Sequence, residues 1–323
     1  MGLYKAEFQI NTQCNMNCVF CFNNGHIENN GLANRIIFRQ IRDAIGIGLK
    51  QVWITGGEPL LNAQQVFQII EFCKKRGLSV GLSSNGLLLC KYSIDLKKAG
   101  LNKIRVSLDS SDELVFQRLR GGSLLEVIEG IKSAVEAGLS VTLRTTITKE
   151  NSSDMKNIIG LSGNLCVDAV EIKPVLPVGR ADVESMLSNE EFYNAFIAAK
   201  NSSKENNVDI TCVCNYLPEC EGFKVVPNIA CQCSHSAIYI ASDGEIMPCS
   251  YFPYEHRFNA YKDKISDVWE SSFFEKVRHL KPQKCEPCIS WDSCRNGCPA
   301  VLHHKGMLGW DFYKMLGEGK DEA

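Results

Sequence analysis

Features that would mark a membrane-spanning, secreted or lipid-anchored protein are missing from this sequence. No apolar run reaches the roughly 18 residues that a membrane-spanning helix requires. The segment from Met1 to Glu7 lacks the basic start and following apolar run of a secretory signal, and no hydroxyl residue stands near position 6, where a myristoylation signal needs one. We therefore expect a cytoplasmic protein without a membrane partner.

An excess of charge of either sign is also missing. The 323 residues include 35 basic and 37 acidic side chains, for a net charge of −2. Proteins that bind nucleic acids usually carry a basic patch or a high isoelectric point. We therefore expect no nucleic-acid partner, whereas small or weakly charged substrates are compatible with this composition.

Cysteine, in contrast, is abundant, with sixteen residues. Three lie near the start and ten lie from Cys212 onward, while Cys73, Cys90 and Cys166 stand apart and are predicted to be small buried apolar side chains. A disulfide framework needs an oxidising compartment, which the missing secretory signal argues against. The distribution predicts a reduced protein whose grouped cysteines bind metal.

The first group consists of Cys14, Cys18 and Cys21, spaced C-x3-C-x2-C. Iron-sulfur clusters are normally held by four cysteine thiolates, so three ligands from one loop leave one iron open to a substrate. A zinc site, or three unrelated cysteines of a reduced protein, are the alternatives at this point.

Short apolar runs alternate with segments of helical period over roughly the first half of the chain. Gly77, Gly100 and Gly138 stand where helices are expected to end. The alternation predicts an α/β fold with a parallel sheet, a partial (β/α)6 barrel whose active-site groups lie at the C-terminal ends of strands. The predicted strands are 6–10, 52–55, 80–83, 104–108, 141–147 and 170–174, and the predicted helices are 36–47, 66–76, 92–99, 124–137, 155–161 and 190–206.

Gly56, Gly57 and Glu58 follow the second predicted strand. Two glycines allow the backbone to approach a ligand closely, and a carboxylate can accept a hydrogen bond from an ammonium group. Other polar residues end the third and fourth strands, where helix capping is the alternative role.

The cysteine loop and the Gly-Gly-Glu-Pro segment together resemble the radical S-adenosylmethionine (radical SAM) family. In that family the open iron of a 4Fe-4S cluster chelates SAM, and the glycine-rich segment binds the methionine amino group. The resemblance implies further SAM contacts at ribose-, carboxylate- and adenine-binding segments. The implied cofactor-binding residues are Gly56, Gly57, Glu58, Asn85, Ser107, Asp109, Arg120, Arg144 and Val178.

The C-terminal cysteines resemble the SPASM extension of radical SAM enzymes, which carries one or two auxiliary 4Fe-4S clusters. A zinc ribbon is the alternative for paired C-x2-C spacings. A hairpin signal at Asp243-Gly244 precedes Cys249, as in the SPASM pattern. By this resemblance, Cys231, Cys233, Cys249 and Cys298 would hold one cluster, and Cys285, Cys288 and Cys294 would hold part of a second.

The seventh cysteine of the SPASM pattern has no counterpart between Val301 and Ala323. Three options remain for the second cluster: Asp311, His303 or His304 supplies the last ligand, one iron is open to substrate, or the cluster is lost. The roles of Cys212, Cys214 and Cys220 are open.

The resemblance implies reductive cleavage of SAM and removal of a hydrogen atom from substrate. We expect residues 1–206 to form the radical SAM barrel and 207–323 the SPASM-like domain. The substrate is expected to be a peptide or protein side chain, and the electron donor a flavodoxin or ferredoxin. Alternatives are a small-molecule enzyme, for example one that modifies tetrapyrrole side chains, and a non-catalytic iron-sulfur redox protein. Because the first strand begins at once, neither a cobalamin domain nor a leader-binding domain is expected.

Overall fold

The computed structural model describes residues 2–23, 31–213, 231–252 and 257–279. Within these ranges the strands form one nine-stranded sheet. The strands are β1 (Lys5–Gln9), β2 (Gln51–Thr55), β3 (Ser79–Ser84), β4 (Lys103–Ser107), β5 (Ser140–Ile147), β6 (Ala169–Pro174), β7 (Asp209–Cys212), β8 (Ala237–Ile240) and β9 (Ile246–Met247).

Strands β1 to β6 lie side by side in chain order and pair in parallel, with β7 beyond β6. All six predicted strands are present close to their predicted bounds. Parallel neighbours need a crossover connection, and helices supply it after β1 to β6. The predicted α/β fold with a parallel, barrel-type sheet is therefore confirmed.

The helices between the strands pack on the outer face of the sheet. Helices α4, α8 and α9 are not among the predicted helices. Asp112 caps α4 by accepting a hydrogen bond of 2.9 Å from the backbone nitrogen of Val115. The helices are α1 (Asn34–Ile45), α2 (Ala63–Lys74), α3 (Leu89–Ala99), α4 (Glu113–Arg120), α5 (Leu124–Glu136), α6 (Met155–Asn164), α7 (Asn189–Asn206), α8 (Ile265–Trp269) and α9 (Ser272–Arg278).

Three glycines end helices as predicted. Gly77, Gly100 and Gly138 have φ values of 70°, 94° and 73°, the left-handed region that other residues rarely adopt. None of the described helices has the length and apolar character needed to cross a membrane.

Side chains alternate between the two faces of the sheet along each strand. On β5, Leu143 is fully buried in the hydrophobic core, whereas the adjacent Arg144 lines the space enclosed by the strands. The same alternation recurs on β4, where Ile104 and Val106 are buried in the core and Arg105 and Ser107 face inward. The sheet therefore has an apolar outer face and a polar inner face.

Residues after 231 extend the same sheet. Strand β8 pairs in parallel with β1, placing Ala237 opposite Lys5, and forms a hairpin with β9. Gln40 on α1 holds the segment that follows by donating to the carbonyl oxygens of Ala260 and Asp263 at 2.7 and 2.6 Å. The sheet thus crosses the predicted boundary at residue 206, and the division into two domains stays a prediction.

Candidate active site

A cavity of about 370 Å³ lies inside the curved sheet, at the C-terminal ends of the strands. Thr55, Ser84 and Ser107, the last residues of β2, β3 and β4, all line it. The cavity brings together most of the predicted site residues that the structure describes. Those lining it are Cys14, Cys18, Cys21, Gly56, Gly57, Asn85, Ser107, Arg120, Arg144, Val178, Cys231, Cys233 and Cys249.

The loop after β1 carries Cys14, Cys18 and Cys21 along one side of the cavity. Backbone hydrogen bonds fix it: the nitrogens of Asn17 and Val19 each donate at 2.9 Å to carbonyls at the end of α4. The Cys14 sulfur accepts from the backbone nitrogen of Met16 at 3.4 Å. The thiols are therefore held in place by the fold and face open space.

Burial shapes the acidity of these thiols. It raises the pKa of Cys14 to about 11, and it also raises the pKa of Cys18, where the nearby Arg120 guanidinium acts in the opposite direction. Metal ions bind the thiolate form, so loading this loop must release protons.

The chemistry of the donors fits an iron-sulfur cluster. No three Cys, His, Asp or Glu side chains in the described ranges lie close enough to hold a single metal ion. A cluster of several irons spreads its thiolates more widely than one ion does, and the cavity leaves space beside the loop. Cys14, Cys18 and Cys21 would hold such a cluster.

Gly56 and Gly57 pack directly against the backbone that leads into the cysteine loop. A Cβ atom on Gly57 would lie 2.2 Å from the carbonyl oxygen of Gln13, and one on Gly56 would lie 2.2 Å from Oδ1 of Asn11. The nitrogen of Gly57 donates to the carbonyl of Asn11 at 2.9 Å. Only glycine allows this approach, so the pair sets the distance between β2 and the cysteine loop.

Glu58, an expected cofactor contact, lies behind the cavity wall. Its side chain is fully buried and is not among the cavity-lining groups. Its oxygens accept hydrogen bonds from the nitrogens of Leu60 and Asn85 at 3.0 and 2.7 Å and from Ser84 Oγ at 3.0 Å. Glu58 therefore joins the ends of β2 and β3 and orients Asn85, which does line the cavity.

Burial raises the pKa of Glu58 to about 7, although its hydrogen bonds to Asn85, Leu60 and Ser84 act in the opposite direction. The carboxyl group consequently titrates near neutral pH without contacting the cavity.

Asp109 also lies behind the cavity wall rather than in it. Its fully buried carboxylate forms an ion pair with Arg120 and accepts a hydrogen bond of 2.6 Å from the nitrogen of Thr146. Arg120 Nη1 lies 3.5 Å from the sulfur of Cys18. Asp109 therefore positions Arg120, and Arg120 reaches the cysteine loop.

Arg144, expected to meet the SAM carboxylate, is bonded to Glu171 on the neighbouring strand. Its Nε and Nη2 donate to one Glu171 oxygen at 3.0 and 2.5 Å, and Arg105 Nε donates to the other at 2.9 Å. Burial alone would raise the pKa of Glu171, but these two guanidinium groups lower it to about 2. Glu171 is therefore charged throughout the neutral range.

Sequence reasoning missed the charged residues on the inner face of the sheet. The signal was present, because on β4, β5 and β6 a polar residue recurs at every second position, the period of one strand face. The missed cavity-lining charges are Lys5, Glu7, Arg105, Glu171 and Lys173.

The second cysteine group, Cys231, Cys233 and Cys249, lines the same cavity. The Cys233 side chain is hydrogen-bonded to those of Cys231 and Cys249. The bond with Cys233 lowers the pKa of Cys231 to about 7, and both bonds raise the pKa of Cys233. Cys231, Cys233 and Cys249 would hold an auxiliary cluster.

Several predicted ligands fall outside the described residues, so their roles stay predictions. Cys212, for which no role was assigned, is buried in β7. The undescribed cysteines and alternative ligands are Cys214, Cys220, Cys285, Cys288, Cys294, Cys298, His303, His304 and Asp311.

The three isolated cysteines differ in solvent exposure. Cys73 is buried in α2, as predicted. The prediction is wrong for Cys90 and Cys166, which are exposed because one lies in the first turn of α3 and the other in a turn with a φ of 54°.

Comparison with known proteins gives two family matches. Residues 8–161 match the radical SAM superfamily and residues 231–296 match an iron-sulfur cluster-binding domain, SPASM. A probable GTP 3',8-cyclase of Methanosarcina mazei is 31% identical over 262 residues, which are 75% of this chain and 76% of that protein. This chain belongs to the radical SAM superfamily. Its two matched domains are of the kind that bind 4Fe-4S clusters and SAM.

Other similarities are shorter or more distant. A probable GTP 3',8-cyclase of Sulfurisphaera tokodaii is 36% identical over 170 residues, which are 51% of this chain, and the match spans about half of that relative, 54%. Among solved structures, Streptococcus suis SuiB bound to S-adenosylmethionine superposes with a TM-score of 0.78 at 20% identity, over 94% of this radical SAM chain and 74% of SuiB. SuiB has also been solved with its precursor peptide SuiA, with a TM-score of 0.78 at 18% identity over 94% of this chain and 73% of SuiB. At this level of identity the likeness establishes the fold.

Proposed function

We propose that this protein reductively cleaves SAM at a 4Fe-4S cluster held by Cys14, Cys18 and Cys21, and that the resulting radical removes a hydrogen atom from a peptide or protein side chain. One observation carries the proposal: a single cavity contains this cysteine loop, the Gly56-Gly57 pair and a second group of cysteines. A protein that only transferred electrons would have no need of a glycine-lined ligand site between two such groups.

The protein's own contribution is binding and orientation. When bound, the cluster supplies the electron that breaks a sulfur–carbon bond of SAM. The backbone of Gly56 and Gly57 borders the cavity, and Asn85, Ser107 and Val178 supply a polar and an apolar wall for SAM. Arg120 places a positive charge beside Cys18, which stabilises thiolate and cluster charge.

The peptide substrate is supported by the SPASM match and by the fold shared with SuiB, which binds the peptide SuiA. Cys231, Cys233 and Cys249 would hold a cluster able to accept an electron after hydrogen abstraction, which suits oxidative or bond-forming chemistry. A flavodoxin or ferredoxin is the proposed donor of the electron that starts the reaction.

A small-molecule substrate is the second candidate. It is favoured by the relatives named GTP 3',8-cyclase, which include the Methanosarcina mazei protein. A nucleotide is an anion, and the cavity is lined by five basic residues, Lys5, Arg105, Arg120, Arg144 and Lys173.

The proposal is tested by anaerobic reconstitution with iron and sulfide, followed by SAM cleavage with a chemical reductant. We expect about twelve irons per chain if two auxiliary clusters form, or about eight if one forms. A Cys14/Cys18/Cys21→Ala triple variant should lose about four irons and all SAM cleavage. Cys90→Ala/Cys166→Ala is the matched control, because both thiols are exposed and outside the cavity.

Bound zinc in place of iron, or iron without SAM cleavage, would contradict the proposal. If cleavage is found, 5'-deoxyadenosine formation with candidate precursor peptides and with GTP separates the two substrate classes. Stimulation by GTP alone would replace the peptide by the second candidate.

A further inference from the structure

The inner face of the sheet carries more positive than negative charge. On β1, β4, β5 and β6, four basic side chains line the cavity, Lys5, Arg105, Arg144 and Lys173, against two carboxylates, Glu7 and Glu171. Charged groups removed from water are costly unless they are paired. The imbalance therefore indicates where an anionic ligand would be bound.

Some of the cavity's basic groups already have negative partners. Lys5 lies 3.9 Å from Glu7 and is close enough to Cys231 to lower the pKa of that thiol. Arg120, outside the set of four, is paired with Asp109 and touches Cys18. These two cations are accounted for by carboxylates and by the cysteine groups.

Arg105 and Arg144 share a single carboxylate, that of Glu171. Arg105 uses only its Nε in this pairing, and no described residue accepts a hydrogen bond from its two terminal nitrogens. A guanidinium group can donate five hydrogen bonds in a fixed fork, so Arg105 retains donors that suit an oxyanion.

The orientation of Arg105 is fixed before any ligand arrives. Its guanidinium carbon lies 3.8 Å from the centre of the Trp53 ring, and Trp53 is itself anchored by a hydrogen bond of 2.7 Å from Nε1 to Ser83 Oγ. Glu171 binds one edge of the Arg105 guanidinium group, and the Trp53 ring covers one of its faces. A preorganised donor loses little conformational freedom on binding.

Lys173 provides the second positive charge. It lies two residues beyond Glu171 on the same face of β6, about 7 Å further along the strand. Its ammonium group donates to the hydroxyl of Tyr251, and no carboxylate of the described residues lies within ion-pairing distance of it. Arg105 therefore contacts the Glu171 carboxylate, Lys173 lies two residues beyond Glu171 on β6, and both basic side chains line the cavity.

We propose that the substrate presents an oxyanion group, a carboxylate or a phosphate, to Arg105 and Lys173 on the inner face of β4 and β6. This inference rests on the proposed function, because it names the chemistry that the same cavity would select in the substrate. It excludes a substrate whose bound portion is entirely neutral or cationic.

The test is equilibrium dialysis of two labelled probes, succinate and inorganic phosphate, against the reconstituted protein saturated with SAM. Saturation keeps the carboxylate site of SAM itself from contributing. We expect at least one probe to bind, and Arg105→Gln and Lys173→Gln each to weaken it about tenfold or more. Arg118→Gln is the control, because Arg118 is an exposed arginine paired with Glu150 at the surface, and it should leave binding unchanged.

The two probes separate the sources of the oxyanion. Preference for succinate identifies a carboxylate, and preference for phosphate identifies a phosphorylated substrate. Failure of both probes, or equal binding by wild type and by folded Lys173→Gln, would overturn the inference. SAM cleavage by the wild-type preparation is measured in parallel, since its absence would count against the proposed function and not against the anion site.

Discussion

The carboxylate of Glu58 accepts a hydrogen bond of 2.7 Å from the backbone nitrogen of Asn85, so the end of β2 fixes the end of β3. Glu58 is buried behind the cavity wall and Asn85 lines the cavity. The carboxyl group of the glycine-rich segment thus acts on the site through its neighbour Asn85.

This arrangement predicts how stability depends on pH. Because the pKa of Glu58 is raised from 4.5 to about 7, the folded protein takes up a proton more readily than the unfolded chain. The contribution of Glu58 to the free energy of unfolding is therefore fully present below pH 4.5 and falls by up to about 3 kcal/mol as pH rises to 7. The free energy of unfolding, measured by urea denaturation, should differ less between pH 5 and pH 8 for Glu58→Gln than for wild type. An equal difference in the two proteins would exclude this role.

A second prediction concerns Gly57. Gly57→Ala would bring a Cβ atom to 2.2 Å from the Gln13 carbonyl, which is backbone and cannot rotate away. We expect a loss of about 2 kcal/mol or more in unfolding free energy, with impaired reconstitution of the first cluster. Gly160→Ala in α6 is the control, because the nearest atom there is 3.9 Å away and alanine favours helix. Wild-type iron content in Gly57→Ala would argue against the tight approach.

Asp109 provides a third prediction. Asp109→Asn removes the partner of a buried guanidinium, which should cost about 3 kcal/mol in stability. It should also slow SAM cleavage, since Arg120 then loses its fixed position beside Cys18. Glu150→Gln breaks the exposed pair with Arg118 and should cost less than about 1 kcal/mol. If urea denaturation shows similar losses of unfolding free energy in Asp109→Asn and Glu150→Gln, Asp109 does not position Arg120.

The fourth prediction concerns Glu171. Its pKa is lowered to about 2, so its stabilising contribution is present above pH 4.5 and is lost as pH falls towards 2. Glu171→Gln leaves Arg105 and Arg144 without a carboxylate and should destabilise the fold by about 3 kcal/mol or more. The same variant should bind the dialysis probe more tightly than wild type, because the competing carboxylate is gone. Weaker binding by a folded Glu171→Gln protein would show that Glu171 supports the anion site instead.

The sequence was sufficient for the elements of the barrel and for the position of the first cysteine loop. Strands β1 to β6 and most of the helices follow from local periodicity, and Gly77, Gly100 and Gly138 end helices for a reason that is local to the backbone. Cys14 and Gly56 could be assigned to one site because parallel strands bring their C-terminal ends to the same edge of a sheet.

The tertiary structure decided which of the predicted groups reach the cavity. Glu58 and Asp109 follow their strands as the pattern requires, yet each is turned away and hydrogen-bonded to a neighbouring strand. The pairing of β8 with β1, which brings the segment of Cys231 and Cys233 to the cavity that the first cysteine loop also lines, joins segments more than 200 residues apart in the chain. The direction of a strand end and its chemical character are local properties of the sequence. The groups that surround a side chain, and therefore its charge and its access to a ligand, depend on strands that are distant in the chain and meet only in the folded sheet.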